Sequence, residues 1–165
     1  PSSLWIYPPP YAANDERPSE AASLRPTVSV AFTDEWVELK AGLIVALAKA
    51  LPLVRFRILS QGHGFCRLAS EFNFPFSNVV WEDAAISAVP RWLLRSNLLL
   101  TDKSCIRVMA VGMGFPTVVV EPSVPRHNPI FDPPPQAGAH EYILNGFDAR
   151  EVVALVGKAL AHPLR

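Results

Sequence analysis

The sequence predicts an α/β fold, a parallel sheet with helices on both faces, from two observations. Strand-like and helix-like segments alternate about five times along the chain, which is typical of parallel strands joined by crossover helices. Several strand candidates are continuous apolar runs between turn signals, such as Leu98-Leu99-Leu100, and such runs suit strands covered on both faces. We therefore expect a Rossmann-like domain over 27–165, preceded by a Pro-rich linker or arm over 1–26.

Apolar spacing and the residues that interrupt it predict the individual elements. Short runs of β-branched and apolar residues predict strands at 27–33, 53–60, 78–81, 98–100 and 117–120, and 142–144 is a short apolar piece that we assign to no element. Helical spacing predicts helices at 38–50, 65–72 and 83–95, a small-residue helix between Ser104 and Gly114, and a last helix with Asp148 as its N-cap. Pro52 ends the first helix, and Pro90 breaks or starts the helix in which it stands.

The hydrophobic content and the net charge of the chain indicate which kinds of partner it could bind. Half of the residues are hydrophobic and the mean hydropathy is +0.20, so we expect part of the surface to be covered by a partner or a second domain. The formal net charge is zero, and no field therefore favours nucleic acid.

No sequence feature anchors the chain in a membrane. No apolar run reaches the roughly 18 residues of a spanning helix and no signal peptide is visible, so we expect a cytoplasmic protein, with peripheral membrane contact left open. The chain opens at Pro1 without Met, which suggests a processed or excised fragment.

A glycine-rich turn follows the second predicted strand. In Gln61-Gly62-His63-Gly64, the glycines allow close approach of a ligand, and the next helix start offers N–H groups to a phosphate. The spacing is neither GxGxxG nor a P-loop. An ordinary tight turn is the alternative.

A second polar turn follows the strand at 98–100. Thr101-Asp102-Lys103-Ser104 lies past a strand's carboxyl end, where open α/β sheets bind ligands. Hydroxyls and helix-terminal N–H groups there would hold a diphosphate, with Lys103 or Lys40 supplying positive charge. Asp102 or Ser104 as a helix cap is the alternative.

The sequence gives little support for a metal site, a hydrolase triad, reactive cysteines or a catalytic carboxylate pair. The four histidines have no metal-ligand spacing, and no hydrolase triad pattern is present. Cys66 and Cys105 lie in apolar contexts, which favours buried free thiols. Four carboxylates form pairs only by proximity in sequence, and we interpret them as solvated helix-end charges: Glu35, Glu38, Glu82 and Asp83.

The order of these pieces resembles a known family over roughly 27–162. The resemblance is carried by VSVAF followed by Lys40-Ala41-Gly42, by ILSQGHG, by NVVWED, and by LLLTDKSCIRVMAVGMGFPTVV. These segments resemble the C-terminal, donor-binding half of a GT-B glycosyltransferase. The last one is similar to the "TDYSS…G-x-P-V-I" pattern of glycerophosphotransferase-related members, with matches at Thr101, Asp102, Ser104, Gly114 and Pro116.

The resemblance implies transfer of a sugar from a nucleotide-diphosphate donor to an acceptor held mainly by an N-terminal domain of the same protein. The donor is a substrate, and no separate cofactor is implied. The implied donor-binding residues are Lys40, Gly62, His63, Gly64, Thr101, Asp102 and Ser104. No catalytic residue is implied within this chain, and we expect no activity from it alone.

The chain also departs from the family pattern. Arg107 and Met109 stand where retaining members carry a pair of glutamates, and Phe32 or Thr33 replaces an arginine after the first strand. A catalytically inactive domain that serves as a scaffold or subunit-interaction module is therefore the main alternative. A flavodoxin-like or receiver-like domain is a further one, with Asp34-Glu35 as a loose match to the receiver acidic cluster.

Overall fold

A computed structural model describes residues 25–59, 76–82, 84–102, 105–121 and 141–161. Six parallel strands form one sheet: β1 (Thr27–Ala31), β2 (Arg55–Leu59), β3 (Val79–Glu82), β4 (Leu98–Thr101), β5 (Thr117–Glu121) and β6 (Glu141–Asn145). The described helices are α1 (Val37–Ala50), α2 (Val89–Leu94), α3 (Cys105–Gly112) and α4 (Ala149–Ala161). The arm predicted over 1–26 lies almost wholly outside these residues, and the helix predicted over 65–72 lies entirely outside them.

The strand order confirms the Rossmann-like prediction. It runs β3-β2-β1-β4-β5-β6, with β1 between β2 and β4, and this is the order of the dinucleotide-binding Rossmann sheet. A flavodoxin-like sheet instead places its third strand beside the first. The topology therefore excludes the flavodoxin-like and receiver-like alternatives.

Both faces of the sheet are buried, as the continuous apolar runs predict. Neighbouring residues of β1 and β4 point to opposite faces, so Leu98 and Leu100 join one core and Leu99 joins the other. Helices α1 and α4 cover the first core, and α2 and α3 cover the second. Two helix layers therefore enclose a sheet whose accessible parts are its edges and strand ends.

Two local signals place helix starts where the sequence predicts them. Asp148 Oδ1 accepts hydrogen bonds from the backbone N–H groups of Arg150 at 2.8 Å and Glu151 at 3.4 Å, which is N-cap geometry. Pro90 lies in the first turn of α2, where a proline removes no helical hydrogen bond. The helix predicted over 83–95 is thus a 3₁₀ turn, Ile86–Ala88, followed by α2.

The end of α1 is anchored by Asn78, immediately before β3. Its amide nitrogen lies 3.1 Å from the carbonyl of Ala48, 3.2 Å from that of Leu51 and 3.1 Å from that of Val54. The last carbonyls of a helix have no partner within it, and Asn78 supplies one. This contact holds the helix that carries Lys40 against the sheet.

Candidate functional site

The sheet has a topological switch point between β1 and β4. Connections from β1 lead to β2 and β3 on one side, while β4, β5 and β6 lie on the other. The connections at the carboxyl ends of β1 and β4 therefore diverge, and an open α/β sheet binds ligands in the crevice that this leaves. Residues 32–36 follow β1 there, and Asp102 follows β4.

Lys40 reaches the switch point from α1 and is buried, with 1% of its surface exposed. Its Nζ donates to Asp102 Oδ2 at 2.5 Å, to the Thr33 carbonyl at 2.9 Å and to Thr33 Oγ1 at 3.1 Å. An ammonium has three N–H donors, and these three acceptors use all of them. The centroid of the Phe32 ring lies 5.5 Å from the same nitrogen.

Asp102 binds the loop after β1 as well as Lys40. The Thr33 N–H lies 3.1 Å and 3.0 Å from the two carboxylate oxygens, and Thr33 Oγ1 donates to Oδ2 at 2.5 Å. These contacts run across the switch point to the loop after β1. Lys40, Asp102 and Thr33 are called the switch-point cluster below.

Thr101 is buried and its side chain ties β4 to β1. Its Oγ1 donates to the Ala31 carbonyl at 2.6 Å, beside the register pair Ala31 and Thr101 that ends the β1–β4 ladder. The hydroxyl therefore holds the carboxyl ends of β1 and β4 together at the switch point.

The remaining predicted site residues lie outside the described part of the chain: Gly62, His63, Gly64, Lys103 and Ser104. The structure thus brings together Lys40, Thr101 and Asp102. For the other residues the topology fixes only where their segments begin, because β2 and β4 are the parallel neighbours of β1 and all three strands end on the same side of the sheet.

Helix α1 starts at the switch point, directly after the loop that follows β1. Its N-cap residue is Trp36, whose side chain makes no capping hydrogen bond in the described structure. The first N–H groups of a helix have no partner within it, and a helix start of this kind attracts anions. Trp36 has φ 56° and ψ 37°, a left-handed backbone conformation that residues other than glycine adopt rarely.

A second charged cluster, which the sequence did not predict, lies between β2, β3 and α2. Arg57 Nε and Nη2 donate to Glu82 Oε2 at 2.9 Å and 2.6 Å, and Nη1 donates to the Trp92 carbonyl at 3.0 Å. The Trp92 indole N–H donates to the same Glu82 oxygen at 2.7 Å. The one sequence signal was an arginine inside an apolar strand, because a charge that is buried requires a partner.

Glu82 therefore differs from the predicted solvated helix-end charge. It ends β3, and burial acts to raise its pKa. The hydrogen bonds from Arg57 and Trp92, with the positive charges of Arg57 and Arg55, outweigh burial and leave the pKa of Glu82 below its ordinary value. This carboxylate is ionised and held in place, which suits a structural tie between β3 and α2.

Metal binding, membrane-spanning helices and the cysteines were the other features that the sequence raised. Within the described ranges no group of three or more His, Cys, Asp or Glu side chains could hold a metal ion. Among the same residues no helix is long and apolar enough to cross a membrane. Cys105 is exposed at the start of α3, so the prediction of a buried thiol is wrong for this residue, and Cys66 lies outside the described residues.

Comparison with known proteins finds similarity at the level of structure alone. No family model matches the sequence, and no curated protein matches it. A complex of S. aureus TarM with fondaparinux, alpha-GlcNAc-glycerol and UDP matches with a TM-score of 0.61 at 11% identity, over 84% of this chain and 29% of TarM. A Listeria monocytogenes protein described as a UDP-N-acetylglucosamine 2-epimerase matches with a TM-score of 0.59 at 14% identity, over 84% of this chain and 37% of that protein.

The fold is that of a GT-B-like domain. Structural matches at 11% and 14% identity show a shared fold but not a shared activity, since function depends on the site. The chain spans about a third of the length of these two proteins.

Proposed function

We propose that this chain is the donor-binding domain of a glycosyltransferase, with a nucleotide-diphosphate sugar bound in the crevice between β1 and β4. One observation carries the proposal: α1 starts at the switch point with an N-cap residue that offers no side-chain cap, beside a loop that the switch-point cluster holds in place. A diphosphate placed there would accept hydrogen bonds from the α1 N–H groups and lie at the positive end of the helix dipole.

The contacts of the switch-point cluster suggest an indirect role for its charged members. Lys40 and Asp102 bind each other and Thr33, and both would position the loop that leads into α1. Direct contact between Lys40 and a phosphate, as the resemblance implies, requires the ion pair to open. Preorganised loops of this kind favour binding because little ordering remains to be done.

The other proposed donor contacts come from the two polar turns. Gly62, His63 and Gly64 follow β2, and Ser104 follows β4, so both turns begin at the edge that carries the crevice. Thr101 would act through the β1–β4 contact that it makes with Ala31.

Transfer also needs groups beyond this domain. The donor-domain proposal includes an N-terminal domain of the same protein that binds the acceptor, and the matched TarM structure contains UDP and alpha-GlcNAc-glycerol in a chain of which this one covers 29%. We expect the chain alone to bind a nucleotide diphosphate and to transfer nothing.

A titration tests the binding. The chain would be titrated with UDP, GDP, ADP and inorganic pyrophosphate while its amide shifts are followed by NMR. We expect shifts centred on 33–38 and 101–105, around the carboxyl ends of β1 and β4. Val54 and Asn97 precede β2 and β4 at the amino ends of the strands and serve as internal references. Absence of shifts for every nucleotide at millimolar concentration, in this chain and in the full-length protein, would contradict the proposal.

A scaffold function is the second candidate, and the ion pair favours it. The cation predicted to neutralise phosphates is already neutralised by Asp102, and Arg107 and Met109 replace the family's glutamate pair. If no nucleotide binds while the domain still associates stably with the rest of its protein, as measured by size-exclusion chromatography, the scaffold reading is supported.

A further inference from the structure

Trp36 combines three properties that are unusual for a tryptophan. It is the one non-glycine residue in the described part of the chain with a positive φ, and the residue is 57% exposed. It also provides no cap to the helix that it precedes. A glycine would adopt this conformation without strain, so the backbone gives no reason for a tryptophan.

The position of Trp36 suggests what the ring does. It stands between the β1 loop and α1, and its carbonyl accepts the Lys40 N–H at 3.0 Å, so the residue is built into the same turn as the switch-point cluster. Strained residues concentrate at ligand sites, where the surrounding structure holds them. A large exposed aromatic residue beside a crevice offers a flat apolar surface.

We propose that Trp36 stacks on the base of the nucleotide whose diphosphate binds at the start of α1. This inference rests on the donor-binding function proposed above and adds a residue and a ligand part that the sequence did not indicate. The N-cap position adjoins the N–H groups proposed to hold the diphosphate, and the base is the part of the nucleotide with a π-face. Base–aromatic stacking is sequence-tolerant and strengthens binding substantially.

The test compares three variants with the unmodified chain, each measured for UDP and inorganic pyrophosphate affinity and for melting temperature. Trp36→Gly removes the ring and relieves the backbone, and Trp36→Phe keeps an aromatic ring. Leu53→Ala is the control, because Leu53 is an apolar residue that is 72% exposed and lies just before β2, at the amino ends of the strands. Trp36→Gly should weaken UDP binding by about 5- to 100-fold, the range expected for loss of one stacked base.

The remaining expectations separate stacking from a structural role. Trp36→Gly should leave pyrophosphate affinity unchanged and raise the melting temperature by about 2–4 °C, because a strained conformation is relieved. Trp36→Phe should lower UDP affinity by at most about threefold relative to the unmodified chain, a smaller loss than removal of the ring causes. Leu53→Ala should leave UDP affinity unchanged.

Two results would overturn the inference without touching the donor-binding proposal. One is UDP affinity that is the same in Trp36→Gly and in the unmodified chain. The other is an equal loss of UDP and pyrophosphate affinity, which would assign Trp36 to the shape of the helix start. If the unmodified chain and the full-length protein bind no nucleotide diphosphate, the proposed function fails and the inference fails with it.

Discussion

Replacing Lys40 by methionine removes one charge from a buried ion pair and leaves the other charge in place. Lys40 is 1% exposed, and the side chain of Asp102 is 7% exposed. In the variant, Asp102 would keep its bonds from Thr33 but lose the Nζ contact of 2.5 Å. Loss of one partner from a buried pair costs about 3–5 kcal/mol.

The experiment is a double-mutant cycle measured by urea unfolding. We expect Lys40→Met and Asp102→Leu each to lower the free energy of unfolding by about 3–5 kcal/mol. The double variant should be destabilised by clearly less than the sum, since residues in direct contact show coupling energies of about 0.5–3 kcal/mol.

A matched control is available on the same helix. Lys49 is exposed in the last turn of α1, and Lys49→Met should change stability by at most about 0.5 kcal/mol. Single variants at Lys40 and Asp102 that cost less than about 1 kcal/mol and add without coupling would refute the reasoning, because such results describe an exposed pair.

Two further predictions concern the supports of the site. In the folded state the pKa of Glu82 lies below its ordinary value, so the contribution of Glu82 to stability is fully present above that ordinary value and is lost as pH falls through the folded pKa. Urea midpoints between pH 7 and pH 3 should therefore fall more steeply for the unmodified chain than for Glu82→Gln, and parallel curves would contradict this. Asn78→Ala should cost about 1–3 kcal/mol, because its amide contacts with the Ala48 and Leu51 carbonyls at the end of α1 and with the Val54 carbonyl before β2 are lost. Lys49→Ala, at an exposed residue in the last turn of α1, is the control in the same urea series, and a loss at Asn78 no larger than the loss at Lys49 would argue against the capping role.

The sequence predicted most of the elements because their signals are local. Apolar runs such as 98–100 and 117–120 need both faces covered, and that requirement can be read without knowing the neighbours. Caps act within one turn, so Asp148 was predictable from the residues around it. Pro90 was harder, since a proline either breaks or starts a helix, and only the structure decides which.

Ion pairing was beyond the sequence because it depends on neighbours that are distant in the chain. Lys40 and Asp102 are 62 residues apart, and Arg57 meets Glu82 across 25 residues. The sequence predicted that Lys40 and Asp102 belong to one site, but it treated them as separate ligands for a donor. Their contact with each other changes the expected role of both.

By itself the sequence determined an alternating α/β chain and a parallel sheet buried on both faces, because hydrophobic periodicity is a property of neighbouring residues. Only the tertiary structure decided the strand order, the switch point between β1 and β4 and the pairing of Lys40 with Asp102. It also decided the left-handed backbone at Trp36. The physical reason is that strand order and buried charge pairing arise from contacts between distant segments, whose free energies no local pattern specifies.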